Sequence, residues 1–484
     1  PRVDGLRPVV SVIGRLTAVL GLSMLLPAAV DLANGDANWR GMALAAFLTF
    51  AAGAAAAVMG RQTVRSGLGR EQAFLLTVGV WWVLALFGAL PFVFAAPSAS
   101  FTDAFFEAMS GITTTGATVF TGLDEAPRGM LLWRALLQWF GGLGIVVVAM
   151  VFLPVLKIGG MQFFRSEAFD LGSDVLPRAT EIAASLTSIY LTLTVACVLA
   201  YSATGMSGFD ALCHAMTTVS TGGLGNYDGG FGVFPEASHW VAIVFMVLAA
   251  LPFIRFLQLS RGDPAPLWRD PQVQGFLAIL GVAWVFLVAW LVWEQDASAE
   301  FALLHGLFNA TSIMTGTGYA SDDSNAWGGF AVAVIFIVGL IGGCTGSTSC
   351  SAKVFRYQIL MASLAQQIRR IHNPSGVFPL RYHHQVVEPE IVSSIMAFFF
   401  VFVTALSVWA MLLSMFGLDA ITSISGSVAA LANIGPGLGP VIGPAGNYQS
   451  LPDGAKWLLA VGMFLGRLEF LSVLVLLTPG FWRR

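Results

Sequence analysis

The sequence predicts an all-α membrane protein of ten transmembrane helices, with four shorter helices that enter the bilayer and turn back. Three observations carry this. Hydrophobic residues make up 56% of the 484-residue chain and charged residues 11%, with a mean hydropathy of +0.78. A soluble fold carries about a quarter charged residues to present a solvated surface. Long apolar runs recur at the roughly twenty-residue length that a bilayer demands. From residue 70 onward, a short half-apolar segment ending in Gly, Thr and Ser lies inside each successive pair of runs.

The elements follow in order from the apolar runs. Two spans come first, near 9–31 and 41–59. A cycle of long helix, short segment and long helix then repeats four times. Its first turn has helices near 72–96 and 130–156 around 102–118, and its second has 180–204 and 238–260 around 209–225. The third has 272–294 and 328–360 around 301–319, and the fourth has 391–416 and 455–479 around 420–439. These divide the chain into an N-terminal two-helix domain, 1–66, and four repeats, 67–160, 161–262, 263–371 and 372–484.

Charge sets the expected orientation. Arg61, Arg65, Arg70, Lys157, Arg165, Arg178, Arg255, Arg261, Arg269, Lys353, Arg356, Arg369, Arg370, Arg381, Arg483 and Arg484 all fall in alternate loops or at the C-terminus. The opposite loops hold mainly Arg40, Arg128 and Lys456 among several carboxylates. By the positive-inside rule both termini are expected in the cytoplasm and the four short segments on the outer side. The first residues lack a basic stretch before a short apolar core, so a cleaved signal peptide is not expected.

Other classes fare poorly. A net charge of −3 gives no field for nucleic acid. Cys197, Cys213, Cys344 and Cys350 form no CxxC pair, and the six histidines, including His383-His384, lack ligand spacing. The glycine run 339–346 invites a phosphate-loop reading, but Gly346 is followed by Ser347 where that motif needs lysine. An enzyme is therefore not expected.

The four short segments align with one another. The first runs from Glu107 to Thr113, Thr114, Thr115 and Gly116; the second from His214 to Ser220, Thr221, Gly222 and Gly223. The third runs from Asn309 to Thr315, Gly316, Thr317 and Gly318; the fourth from Val428 to Ile434, Gly435, Pro436 and Gly437. Irregular backbone inside a bilayer is tolerated only where protein buries it or it lines a wet cavity. Extended Thr/Ser/Gly strands present rows of carbonyl oxygens, and four around an axis can replace the water shell of a monovalent cation. Glycine leaves no side chain in the ion's path. One such segment alone is more simply a surface loop or a packing motif; four in register are not.

The motifs Gly111-Ile-Thr-Thr-Thr-Gly116-Ala-Thr118, Thr218-Val-Ser-Thr-Gly-Gly-Leu-Gly225 and Ala432-Asn-Ile-Gly-Pro-Gly-Leu-Gly439 resemble the filter segments of the TrkH/TrkG/KtrB potassium uptake family. So do Gln138-Trp-Phe-Gly-Gly-Leu-Gly-Ile145 and Gly466-Arg-Leu-Glu469. The likeness covers essentially the whole chain, and the extra N-terminal spans are similar to the TrkH/TrkG branch. It implies four re-entrant pore helices around one pore, a homodimer in the bacterial inner membrane, and a cytoplasmic nucleotide-binding subunit of the TrkA type. It also implies potassium as the ion, since glycine stands at all four aligned positions, Gly116, Gly223, Gly318 and Gly437. Pro436 departs from the Thr/Ser pattern.

Two further features attract notice. A helix through Gly339-Leu-Ile-Gly-Gly-Cys-Thr-Gly-Ser-Thr-Ser-Cys-Ser351 is poor by propensity. The resemblance implies a gating loop there, with Gly342, Gly343, Thr345, Gly346, Ser347 and Lys353; the bland alternative is a kinked helix packed through small residues. Cys350-Ser351-Ala352 stands where relatives often have Gly-Gly before the lysine, which implies a stiffer lower hinge. Arg467 lies near the middle of the last span, about 18 Å from its outer end, where an arginine is costly. It is either a positive barrier in the pore or one half of an ion pair with Glu107 or Glu469, although residues two apart on one helix point to different faces, which disfavours the second. The basic loop 361–390 is a solvated face or a docking surface for the regulator. A proton- or sodium-coupled symporter is the rival function, and Glu469 is almost the sole carboxylate within a span to serve it.

Overall fold

The computed structural model describes residues 3–61, 69–152, 160–164 and 175–482. Arg65, Lys157, Arg165, Arg483 and Arg484 lie outside the described residues. Among the described residues the regular structure is helical, apart from one hairpin of two two-residue strands.

The N-terminal stretch forms α1 (Val3–Ser23), α2 (Leu25–Ala33) and α3 (Trp39–Met59). Here α1 and α3 approach through glycines: a Cβ on Gly14 or Gly53 would strike the backbone of the facing helix. Small residues at such crossings let van der Waals packing replace the hydrophobic drive that lipid removes. Next come α4 (Arg70–Gly88) and α5 (Leu90–Phe94), the short α6 (Phe101–Ile112), and α7 (Arg128–Val147). The second cycle is α8 (Val175–Ala203), α9 (Gly208–Val219), α10 (Glu236–Ala250) and α11 (Phe253–Ser260). The third is α12 (Pro271–Glu294), α13 (Ala299–Thr315), α14 (Gly329–Ile341) and α15 (Val354–His372). The fourth is α16 (Pro389–Ser414), α17 (Ala420–Leu431), α18 (Asp453–Arg467) and α19 (Leu471–Leu476).

The four short helices α6, α9, α13 and α17 start on side-chain caps. Ser100 accepts from Asp103 N, Ser207 from Asp210 N, Ser298 from Phe301 N, and Asp419 from Thr422 N. Each cap satisfies an amide that has no partner inside its own helix.

Seven helices among the described residues are long and apolar enough to cross a membrane uninterrupted, and a bent pair makes an eighth. The other two expected spans are broken. Span 328–360 stops at Ile341 and resumes at Val354. Span 455–479 stops at Arg467, where Glu469 and Phe470 turn left-handed (φ 59° and 50°), and resumes at Leu471.

The bend of 95° between α10 and α11 was not expected from the apolar run 238–260. Pro252 has no N–H to donate back, so the helix breaks there and leaves the Ala249 and Ala250 carbonyls open. Both are filled from the break in the third repeat: Thr348 N bonds Ala249 O at 3.2 Å and Cys344 N bonds Ala250 O at 3.0 Å. The two irregularities satisfy each other.

The stretch 361–390 is largely exposed, as a solvated face requires, but it is not all loop. Helix α15 runs on to His372, and β1 (Arg381–Tyr382) then pairs antiparallel with β2 (Gln385–Val386) around His383-His384, both left-handed as a tight turn requires.

Candidate functional site

Each short helix ends in the same backbone manoeuvre. One residue turns left-handed: Thr114 (φ 53°), Thr221 (51°), Gly316 (80°) and Asn433 (53°). The next amide then folds back onto the helix in three of the four cases, Thr115 to Ser110 O, Gly222 to Thr217 O and Ile434 to Ala429 O, each at 2.9 Å. A glycine follows at Gly116, Gly223, Gly318 and Gly435.

These glycines close a ring. A Cβ on Gly116 would overlap the carbonyl oxygen of Gly222, and one on Gly223 the carbonyl oxygen of Thr317. On Gly318 it would stand 3.1 Å from Gly435 N, and on Gly435 2.8 Å from the Gly116 carbonyl. The first segment therefore touches the second, the second the third, the third the fourth, and the fourth the first. Gly116, Gly223 and Gly318 hold φ between 78° and 85°, a region where a side chain is strained.

The sequence alignment of the fourth segment is corrected by two residues. The ring glycine is Gly435, not Gly437. Gly437 donates its N–H to Ile442 O at 2.7 Å, and its Cα faces the Ile442 side chain and Ser425. Pro436 keeps a place at the ring, its Cδ 2.9 Å from where a Cβ on Gly318 would lie. The marker of register is the left-handed residue two places earlier, Asn433, which an alignment on Gly-Pro-Gly cannot see.

Hydroxyls in the segments bond within the wall. Thr113 pairs with Thr115 and Thr315 with Thr317, both at 2.8 Å between hydroxyl oxygens, while Ser220 donates to Thr217 O at 3.3 Å. Asn433 Nδ2 donates to Thr115 Oγ1 at 3.0 Å, joining the fourth segment to the first. A cavity of about 320 Å³ opens outside the ring, lined by Gly116, Gly223, Gly318, Gly435 and Pro436 among others.

Further out, a second set of bonds joins the same neighbours. Arg134 Nη1 donates to Gly225 O at 2.7 Å, and Phe231 N to Ala320 O at 3.0 Å. Asn325 Nδ2 donates to Gly439 O at 3.2 Å, and Tyr448 N to Thr118 O at 2.9 Å. Arg134 is buried in α7 and pairs with Glu107 at 2.9 Å. Sequence reasoning missed Arg134, although an arginine inside an apolar span was a signal. Asn325 and Tyr448 carried no such signal.

On the opposite side of the ring lies the segment 342–353. Ser349 Oγ donates to Thr315 O at 2.8 Å, Thr348 Oγ1 to Val219 O at 3.1 Å, and Cys350 Sγ lies 3.9 Å from Thr114 Oγ1. The segment thus spans the C-terminal ends of three of the four short helices. Its own turns are made by Gly342, Gly346, Ser351 and Lys353, all at positive φ. Gly343 N bonds Ser349 Oγ, Ser347 Oγ donates to Cys344 O, and Thr345 N bonds Gln272 Oε1 at 2.8 Å. The helix gap seen in the sequence is a true loop, and the kinked-helix alternative fails. Non-glycine residues at its lower end do take the left-handed backbone that glycine would adopt freely.

Arg467 closes the arrangement from the fourth repeat. Its guanidinium donates to Thr348 O at 3.3 Å and to Cys350 Sγ. Neither anticipated carboxylate is its partner: Glu107 is held by Arg134, and Glu469 pairs with Lys353 (3.2 Å) and Arg356. Lys353, Arg356, Arg467 and Glu469 are all buried.

The family model of the TrkH cation transport proteins matches residues 42–482. The chain belongs to the TrkH family. Family members are transmembrane transport proteins rather than enzymes. The chain is 42% identical over 479 residues to a Trk system potassium uptake protein, TrkI, of Halomonas elongata, covering 99% of this chain and 97% of that one. It is 34% identical to TrkH of Escherichia coli, with 99% of each covered. The crystal structure of the potassium transporter TrkH from Vibrio parahaemolyticus superimposes with a TM-score of 0.91 at 34% identity, over 99% of this chain and all of that one. This TrkH-family chain is therefore a multi-pass membrane protein with the fold of a transporter.

Proposed function

We propose that this chain takes up potassium across the bacterial inner membrane by channel-like conduction through the glycine ring. The carrying observation is the closed cycle of approaches among Gly116, Gly223, Gly318 and Gly435. Backbone oxygens around such a ring substitute for the water of a dehydrated cation. In this reading the ion is coordinated along 113–116, 220–223, 315–318 and 433–435, with α6, α9, α13 and α17 as pore helices in four repeats, 67–160, 161–262, 263–371 and 372–484. Ten spans are formed when the bent and broken helices are each counted as one crossing. Both termini face the cytoplasm.

The loop 342–353 is the gate, and Arg467 the positive group that holds it. A nucleotide-binding TrkA-type subunit on the cytoplasmic side moves the gate, and the chain works as a homodimer. Ion-coupled symport is the weaker reading, because Glu469 is committed to Lys353 and Arg356 instead of standing open to a coupling ion. Purified protein in liposomes is expected to pass potassium down its gradient, ahead of sodium and without parallel proton movement. Gly116→Ser is expected to lower that preference. Strict coupling of potassium to proton or sodium flux in the vesicles would overturn conduction in favour of symport.

A further inference from the structure

Three residues beyond each ring glycine, the outgoing chain is held from behind by a side chain of its own short helix. Glu107 Oε2 accepts from Val119 N at 3.0 Å, and His214 Nε2 from Asn226 N at 3.4 Å. Asn309 Oδ1 accepts from Ser321 N at 3.5 Å, and Ser425 Oγ from Leu438 N at 2.9 Å. Glu107, His214 and Asn309 stand twelve residues before the amide each one holds. In the fourth repeat that position is Gly426, and the residue before it, Ser425, takes over. Four different acceptors, a carboxylate, an imidazole, an amide and a hydroxyl, therefore do one job at one place.

Three of the acceptors are themselves fixed. Arg134 Nε holds Glu107 Oε1 at 2.9 Å. His214 Nδ1 donates to Asp210 O at 2.9 Å, which leaves Nε2 as the acceptor. Asn309 Nδ2 donates to His305 O and, at 2.8 Å, to Ser321 Oγ, so Ser321 is held at two atoms. All four side chains are buried. A buried amide that loses its acceptor is costly and shifts to find another.

We propose that Glu107, His214, Asn309 and Ser425 are positioning residues that set the spacing of the ring oxygens and hence the choice between ions. The proposal rests on the ring being an ion filter. A wall free to close inward can follow a smaller cation, whereas a braced wall keeps the spacing suited to the larger one.

The test uses the full-length protein in liposomes, with potassium and sodium flux measured separately. His214→Leu and Ser425→Ala each remove an acceptor, and each is expected to lower the potassium-to-sodium flux ratio by roughly three-fold or more. His214→Gln restores an acceptor near Nε2 and is expected to return the ratio toward that of the unsubstituted protein. If His214→Leu does not fold, Ser425→Ala, which removes one oxygen, decides alone. Unchanged ratios, or both fluxes falling in step, would overturn the positioning role. An unsubstituted protein without ion preference would instead overturn the filter reading, and this proposal with it.

Discussion

Gly435 and Gly437 show how much a single position matters. A side chain on Gly435 meets the backbone of Gly116 and the Thr115 carbonyl, atoms that cannot swing aside. One on Gly437 meets mainly the end of Ile442, a side chain that can change rotamer. Gly435→Ala is therefore expected to lower the potassium-to-sodium flux ratio more than Gly437→Ala does. Equal or reversed losses would return the register to the one suggested by the Gly-Pro-Gly motif. Residue types alone placed both glycines in the same short stretch. Choosing between them needed the backbone angle at Asn433, which is an outcome of packing.

At the scale of elements, the loop 342–353 is held by few, identifiable bonds. Thr348 alone bonds Val219 O and Ala249 O through its hydroxyl, accepts Arg467 at its carbonyl, and donates its amide to Ala249. Each neutral bond contributes about 0.5–1.5 kcal/mol. The isosteric Thr348→Val removes the hydroxyl bonds, and Arg467→Ala removes the bond from the opposite helix. Both are expected to raise potassium flux in liposomes without altering the ion ratio, since neither touches the ring glycines. A silent Arg467→Ala would demote the arginine to packing. The loop itself was legible, because so many Gly, Ser and Thr residues cannot sustain a helix. The bend at Pro252 was missed because the apolar run continues through it, and hydropathy is blind to a lost amide.

Across the whole molecule, the repeats are tied to one another by buried charge. Glu469 follows α18 in the fourth repeat, while Lys353 and Arg356 belong to the third. Removing one member of a buried ion pair leaves the other charged and unpartnered, typically at a cost of about 3–5 kcal/mol. Glu469→Gln is expected to lower the melting temperature of the detergent-solubilised protein and to increase leak, because the lower end of the loop loses its anchor. Unaltered melting and flux would show that the trio is incidental. Lys456–Asp103 likewise joins the fourth repeat to the first, whereas Arg134–Glu107 joins α7 to α6 within the first. Sequence spacing pointed to neither pair.

What the sequence by itself determined is local: which stretches are apolar enough for a bilayer, where short half-apolar segments recur between them, and which segments are too rich in small residues to remain helical. These depend on hydropathy and backbone freedom, properties of a residue and its near neighbours. Only the tertiary structure decided which glycine joins the ring, which side chains brace it, and which charge answers Glu469. The ring and the partners of Glu469 arise from contacts between segments roughly a hundred or more residues apart, and the braces from a chain that turns back onto its own short helix twelve or thirteen residues on; no local property of the chain encodes where these meet.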